Sequence, residues 1–295
     1  MAENASASPY KIIDLISFTQ DETGHKKPRG SASPRRCRFC QRQIPVVKFS
    51  KDAHIVPQAF GNRAHTSLEE CDDCNLIGSR LENDLAVYLS LQRAVARIRT
   101  GKKDGVKLKP KGDHGGSFIE SKANSNLVSV NIDPNDSSVK MQEVADGGVE
   151  IIAQRAPYSL INVSKALARM GYFLIPDKEL SNFEHIRRWI RGEEDHFPSI
   201  FYRGFVPGAG LVRTSLVLFQ RQVDDDRLAP LMMHFLFSTA MMIFHYPNTA
   251  RTTSVHVVPE DEMWSNVQFQ EITCTDNGRL AAAEERLLVN FGKKS

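Results

Sequence analysis

The chain has 295 residues, 41% of them hydrophobic and 25% charged, with a formal net charge of +3. That is an ordinary globular composition able to bury a sizeable core, and five cysteines, one of them unmatched, argue against a disulfide framework. No apolar run approaches the ~20 residues of a membrane span, and Met1 to Pro9 is polar where a secretory signal carries an apolar stretch, so no membrane association and a cytoplasmic location are expected.

In chain order, residues 1–34 are polar apart from an apolar patch at Ile12 to Phe18 and end in a basic Gly/Lys/Arg stretch, which predicts a mostly disordered basic arm. Residues 35–101 predict a small unit: short strands at Ile44 to Phe49 and Ala53 to Val56, a loop from Gln58 to Leu68, then a helix from Asn75 whose Leu81, Leu85, Tyr88, Leu89, Val95 and Ile98 recur at helical spacing before Gly101. Residues 102–116 predict a basic linker or phosphate-contacting loop. Residues 117–295 predict a larger α+β domain of open role, whether substrate recognition or regulation. Its short strands at Phe118 to Ile119, Leu127 to Ile132, Val139 to Val144 and Val149 to Ala153 form a small antiparallel sheet. Helices follow at Leu160 to Leu174 and Lys178 to Ile190. Buried strands at Leu211 to Phe219 and Leu231 to Phe244 flank the charged turn Asp224 to Asp226, strands recur at Val255 to Val258 and Val267 to Ile272, and Leu280 to Val289 closes the chain as a helix.

The charge is asymmetric. Residues 1–115 carry 20 Lys+Arg against 13 Asp+Glu, whereas the remainder carries 18 against 22. A basic half is the electrostatic footprint of a phosphate-backbone partner, DNA or RNA, and Lys102, Lys103, Lys107, Lys109 and Lys111 are its candidate contacts. Two Cys-x-x-Cys pairs, Cys37/Cys40 and Cys71/Cys74, match the ligand spacing of a tetrahedral structural zinc site. Between them lies His54, at the head of a His-Ile-x-Pro segment, and Asn75 directly follows the last cysteine. Closing the zinc site therefore brings a titratable imidazole towards Asn75.

Those motifs resemble the HNH endonucleases, the ββα-metal fold, in the subset with a zinc-binding cysteine quartet. The likeness covers about Cys37 to Leu85 and extends to Gly78-Ser79 after the second knuckle. It implies an α+β architecture with a small N-terminal ββα-metal unit, His54 as general base, Asn75 as a ligand of a catalytic Mg²⁺ or Mn²⁺, and hydrolysis of DNA phosphodiester bonds, with a restriction or anti-phage role through the attached domain. Two positions depart from the family. Ala53 stands where an acidic residue or histidine usually helps bind the cation, and Thr66 stands where many members carry an asparagine. Glu82, one to two turns into the helix on the face of Asn75, is the best substitute ligand, with Asp52 and Asp84 behind it; Asn62 or Thr66 could orient the His54 loop. Rival readings are Asn75 as a helix N-cap, Glu82 as a solvated helix carboxylate, a catalytically silent zinc module that binds nucleic acid, and an RNase or toxin effector. The scattered His185, His196, His234, His245 and His256 show no ligand spacing, and the oligomeric state is open, a homodimer included.

Overall fold

The computed structural model describes residues 8–19, 25–99, 105–110, 115–123, 125, 127–144, 148–195, 199–206, 213–248, 267–274, 278, 280 and 283–289. The N-terminal elements are β1 (Tyr10–Thr19), β2 (Lys27–Arg29), β3 (Ala53–His54), a 3-10 turn at Gln58–Phe60, β4 (His65–Ser67), α1 (Asp72–Tyr88) and α2 (Ser90–Val95). There follow β5 (Gly105–Leu108), β6 (Phe118–Lys122), β7 (Val128–Asn131), β8 (Val139–Glu143) and β9 (Val149–Gln154). Then come α3 (Leu160–Tyr172), a 3-10 segment at Asp177–Phe183 and α4 (Glu184–Ile190). The last strands are β10 (Ser199–Phe205), β11 (Arg213–Arg221), β12 (Leu231–Phe237), β13 (Ala240–Tyr246), β14 (Phe269–Cys274) and β15 (Glu284–Val289).

The largest sheet has six antiparallel strands in the order β1-β11-β12-β13-β10-β14; three-stranded sheets β15-β9-β8, β2-β4-β3 and β5-β6-β7 surround it. The result is an α+β fold in which β2 and β4 pair in parallel and the other ladders are antiparallel. Along β12 and β13 the side chains alternate between two apolar clusters. Met233, Phe235, Phe237, Met242, Phe244 and Tyr246 join the core that holds α3 and α1, and Met232, Met241 and Ile243 pack with Tyr10, Tyr202 and Phe219 on the opposite face. Both faces being covered, the stretch Leu231 to Phe244 reads as one apolar run although it is a hairpin, turned at Ser238-Thr239 with Ser238 at φ +53°.

Helix α3 lies between this sheet and α1. Ser159 caps it by accepting from Asn162 N at 3.3 Å, and Gly171 lets it settle on the sheet, since a Cβ there would stand 2.2 Å from Tyr246 Oη. Tyr246 Oη donates to Ala168 O at 2.6 Å across that contact.

Several expectations are corrected. Residues 1–34 are not a disordered arm throughout: Tyr10–Thr19 is an edge strand, paired from Tyr10↔Arg221 to Thr19↔Arg213, because Ile16 and Phe18 alternate into the core. The linker 102–116 contains β5, which pairs with β6 from Gly105↔Lys122 to Leu108↔Ile119. Ile44 to Phe49 forms turns and bends around Pro45 rather than a strand. The terminal helix is strand β15: Glu285 and Leu287 are buried while Glu284, Arg286 and Leu288 face out, a period of two and not 3.6. The boundary expected between residues 101 and 117 does not divide the core, which runs from Ile16 and Phe39 through Leu85 to Phe244 and Cys274. The expected strand at Val255 to Val258, like His196 and His256, lies outside the described residues. No helix among the described residues is long and apolar enough to cross a membrane.

The edge strand makes a direct test. Ile16 is 1% exposed and Ile12 57%, so Ile16→Ala should destabilise the protein by about 2–5 kcal/mol in urea unfolding while Ile12→Ala stays within about 0.5 kcal/mol. Equal, negligible effects would mean that β1 contributes nothing to the fold.

Candidate active site and metal centre

The zinc motif is assembled by two knuckles. Among the described residues the four cysteines are the one group of histidine, cysteine or acidic side chains that could hold a metal: their sulfurs all lie within 4.8 Å of one another, and none is in a disulfide. Cys40 Sγ stands 3.7 Å from Cys71 Sγ, close to the ~3.8 Å edge of a tetrahedron with ~2.3 Å Zn–S bonds. Backbone N–H groups of Cys40 (3.4 Å) and Cys71 (3.5 Å) both point at Cys37 Sγ, as a thiolate requires. Sharing protons with Cys71 pushes the Cys37 thiol up to about 12, so four adjacent thiolates need a cation to coexist. The donor set fits Zn²⁺.

Arginines fasten this unit to the helices. Arg38 Nε donates to Tyr172 O at 3.1 Å, its Nη1 meets Glu69 (3.2 Å) and Asp177 (2.9 Å), and its Nη2 donates to Ile175 O. Arg187 Nη1 donates to Phe39 O, and Arg191 Nη1 to Cys74 Sγ at 2.9 Å.

Arg169, on α3, is the most buried of these. Its Nε reaches Glu70 Oε1 at 3.0 Å, its Nη2 pairs with Glu70 Oε2, and its Nη1 meets Glu82 Oε1 at 2.6 Å. It crosses α1 at Gly78, where a Cβ would stand 2.4 Å from Arg169 Nε. Burial raises the Glu70 carboxyl to about 7 even against this guanidinium.

His54 ends β3 and pairs across to Thr66. The turn that follows is held by Asn62, whose Nδ2 donates to Val56 O (2.6 Å) and His65 O (2.8 Å) while its Oδ1 accepts from the backbone of Ala64 (3.2 Å) and His65 (2.9 Å). Fully buried and with all its bonding capacity used, Asn62 is what fixes the His54 loop, and Thr66 is the cross-strand neighbour. The strand is tied to the helix start through Asp72, which accepts from Ser50 N (2.9 Å) and Lys51 N (3.0 Å).

Between strand and helix opens a cavity of about 380 Å³ lined by Asp52, His54, Gln58, Asn75, Ser79 and Glu82, among others. Asn75, Ser79 and Glu82 are four and three residues apart, one stripe of α1. Gln58 Nε2 stands 2.7 Å from His54 Nε2, and in this orientation the amide donates, leaving that ring nitrogen an acceptor; His54 Nδ1 is buried without a hydrogen-bond partner among the described residues. Burial lowers the His54 pKa below its ordinary value, with Asp52 opposing and Lys26 and Arg169 reinforcing the shift. The imidazole is therefore neutral at neutral pH and able to accept a proton.

The structure thus brings His54, Asn75 and Glu82 together in one cavity. Asn75 is not an N-cap: α1 begins three residues earlier, with Asp72 and Asp73 favouring its N-terminus, and Asn75 N already donates to Cys71 O at 2.9 Å. Glu82 is not a solvated carboxylate, because Arg169 holds one of its oxygens and burial raises its pKa. Asp52 also lines the cavity and pairs with Lys26 at 2.7 Å. Asp84 is turned into the α1–α3 interface, accepting from Asn162 Nδ2 at 2.7 Å, and so is no ligand for this cavity. Ala53 is fully buried on the other side of the strand.

Of the basic contacts, Lys102, Lys103 and Lys111 lie outside the described residues. Lys109 is exposed; Lys107 meets Glu120 at 3.3 Å and sits 3.4 Å over the Phe118 ring, so part of its charge is already engaged. Residue-by-residue pattern did not reveal Gln58 or Arg169. The one local signal for Arg169 is a cation interrupting the buried stripe Val163, Ala166, Leu167 and Met170.

Residues 37–85 match the family model described as HNH endonuclease. No curated protein and no solved structure matches the chain.

Two outcomes follow from this geometry. Cys71→Ser should lose tightly bound zinc by metal analysis and unfold the knuckle region, whereas Cys274→Ser, away from the cluster, should keep a full equivalent. Arg169→Met should cost about 3–5 kcal/mol in denaturant unfolding because it strands a buried carboxylate, and adding Glu70→Gln should recover much of that loss.

Proposed function

We propose, starting from an HNH endonuclease module at residues 37–85, that the chain is a metal-dependent endonuclease that hydrolyses phosphodiester bonds of DNA. The observation that carries this reading is one cavity holding a neutral, partly buried imidazole, three side-chain amides and two carboxylates, with no lysine or arginine among its lining residues. A purely electrostatic nucleic-acid binder would line such a cavity with cations.

His54 takes a proton from water through Nε2, the water oxygen attacks phosphorus, and the bond from phosphorus to the 3′ oxygen breaks, the leaving oxygen gaining a proton from solvent. Gln58 holds the accepting nitrogen until water replaces it. Asn75, with Glu82 or Asp52, supplies the oxygen ligands suited to Mg²⁺ or Mn²⁺; when bound there, such a cation stabilises the negative charge developing on the phosphate and leaving oxygens. Four cysteines hold a structural Zn²⁺ that fixes the start of α1. The large attached body, continuous with the module through the core, supports a restriction or anti-phage role in which it selects the target.

Plasmid cleavage with a Mg²⁺ and Mn²⁺ titration tests the proposal. His54→Ala should lower the rate by roughly 10²–10⁴ at unchanged zinc content, and Asn75→Ala should be partly restored by more metal. The wild-type rate should rise with pH along an acid limb centred below the ~6.5 of free imidazole. Wild-type cleavage by His54→Ala, in a preparation free of contaminating nuclease, would overturn the reading; RNA run in parallel distinguishes an RNase.

A further inference from the structure

The chain from His25 to Lys51 carries nine lysines and arginines and no acidic residue. Three of the nine reach a carboxylate elsewhere: Lys26 at Asp52, Arg29 at Asp14, and Arg38 at Glu69 and Asp177. Four more gather on the hairpin of the first cysteine pair with no ion pair among the described residues: Arg35, Arg36, Arg42 and Lys48. Arg35 and Arg36 bond only to backbone, donating to Phe49 O at 3.2 Å and Gln41 O at 2.9 Å. Arg36, Arg42 and Lys48 are exposed. Like charges held on one small element repel, and an anion that joins them relieves the repulsion.

The hairpin also presents apolar surface. Arg36 and Gln43 pair across it, and Cys37 N donates to Arg42 O at 2.8 Å. The chain then turns at Ile44-Pro45-Val46, closed by Val46 N on Gln43 O at 2.9 Å. Ile44 is 58% exposed and Val46 69%, while Val47 turns into the core. Two β-branched side chains flanking a proline are far too little for a standard protein interface, which buries ~1,600 Å². Framed by cations, they suit the groove of a duplex, where apolar side chains pack on the bases while lysine and arginine hold the strands.

Position favours the same partner. Lys48 O accepts from Asp72 N at 2.9 Å, where α1 begins, and Lys48 is four residues from Asp52, which lines the His54 cleft. Four residues reach at most ~14 Å, about four base pairs of a duplex with one phosphate per ~3.4 Å of each strand. A strand entering the cleft thus passes the hairpin. The cleft itself has no lysine or arginine in its lining, so the backbone must be held from outside it.

We propose that this hairpin docks on duplex DNA, with Arg36, Arg42 and Lys48 on phosphates and Ile44-Pro45-Val46 in a groove beside the cut. The choice of DNA rests on the nuclease reading above; the surface itself rests on the charge and exposure of the hairpin.

Fluorescence anisotropy of a labelled duplex tests it, read from about 50 to 200 mM salt with the full chain carrying His54→Ala so that the probe is not cut. Added to that parent, Arg36→Gln/Arg42→Gln/Lys48→Gln should lower the double-logarithmic salt slope by about 2 to 3. Lys140→Gln/Arg227→Gln, exposed cations on β8 and in the β11–β12 turn, should leave it unchanged. Ile44→Ser/Val46→Ser should weaken binding about 3- to 10-fold at unchanged slope. Zinc content and thermal unfolding check each variant. Where the triple fails to fold, Arg42→Gln/Lys48→Gln, which removes no side-chain hydrogen bond of the hairpin, decides by a slope lowered by about 1 to 2. A slope unchanged in the folded charge variants, the result if the hairpin docks on an acidic protein, overturns the proposal and spares the nuclease reading. Tighter binding of an RNA duplex overturns the assignment to DNA, and no binding of any duplex by the parent overturns both.

Discussion

One buried guanidinium determines how the parts of this molecule sit together. Arg169 rises from α3, passes over α1 at the one position without a side chain, Gly78, and pairs with Glu70 and Glu82. Glu70 immediately precedes the second cysteine pair, and Glu82 lines the cleft beside His54 and Asn75. A single side chain of the C-terminal region thus sets the register of the knuckle, the cleft wall and the helix between them. Its cost is burial of three ionisable groups, visible in the raised Glu70 carboxyl; its return is geometric, since two carboxylates aimed at fixed guanidinium nitrogens allow little sliding of α1 on α3.

Other arginines likewise tie the cysteine unit into the core that it shares with the helices and the large sheet. Arg38, Arg187 and Arg191 bond to backbone carbonyls or to sulfur across the boundary, and Phe39 lies 5.6 Å from the Tyr172 ring and 5.1 Å from that of Phe173. Some cations of the N-terminal half are paired within it, Arg29 with Asp14, Arg38 with Glu69 and Lys26 with Asp52.

What was legible in the sequence was local chemistry. The Cys-x-x-Cys pairs, His54 and the Asn75–Ser79–Glu82 stripe have spacings set by a metal's coordination or by a helix's pitch, and they meet as that spacing requires. The strands from Phe118 to Gln154 were legible because alternation is a property of the chain itself, but they do not form the one sheet expected of them: β6 and β7 join β5, whereas β8 and β9 join β15. Long-range choices were not. Whether Arg169 faces water or Glu70, 99 residues away, depends on packing that no window contains; Leu231 to Tyr246 hides a hairpin because both faces are buried; and Leu280 to Val289 could satisfy either period until pairing with β9 settled it as a strand. Tyr10–Thr19 was obscured by its polar flanks, although its own alternation was present.

Helix α1, about 25 Å long at 1.5 Å per residue, has Cys74 and Asn75 near one end and Tyr88 at the other, where the Arg155 guanidinium lies over the Tyr88 ring. The proposed hydrolysis requires a second metal centre beside the cysteine cluster, in the cavity of His54. Anomalous X-ray scattering from crystals grown with Mn²⁺, recorded at the zinc and manganese edges, tests it most directly. The account predicts zinc among Cys37, Cys40, Cys71 and Cys74, and manganese in the cavity of His54 within coordination distance of Asn75 and of Glu82 or Asp52. Zinc at the cysteines with no manganese in that cavity at saturating concentration would contradict it.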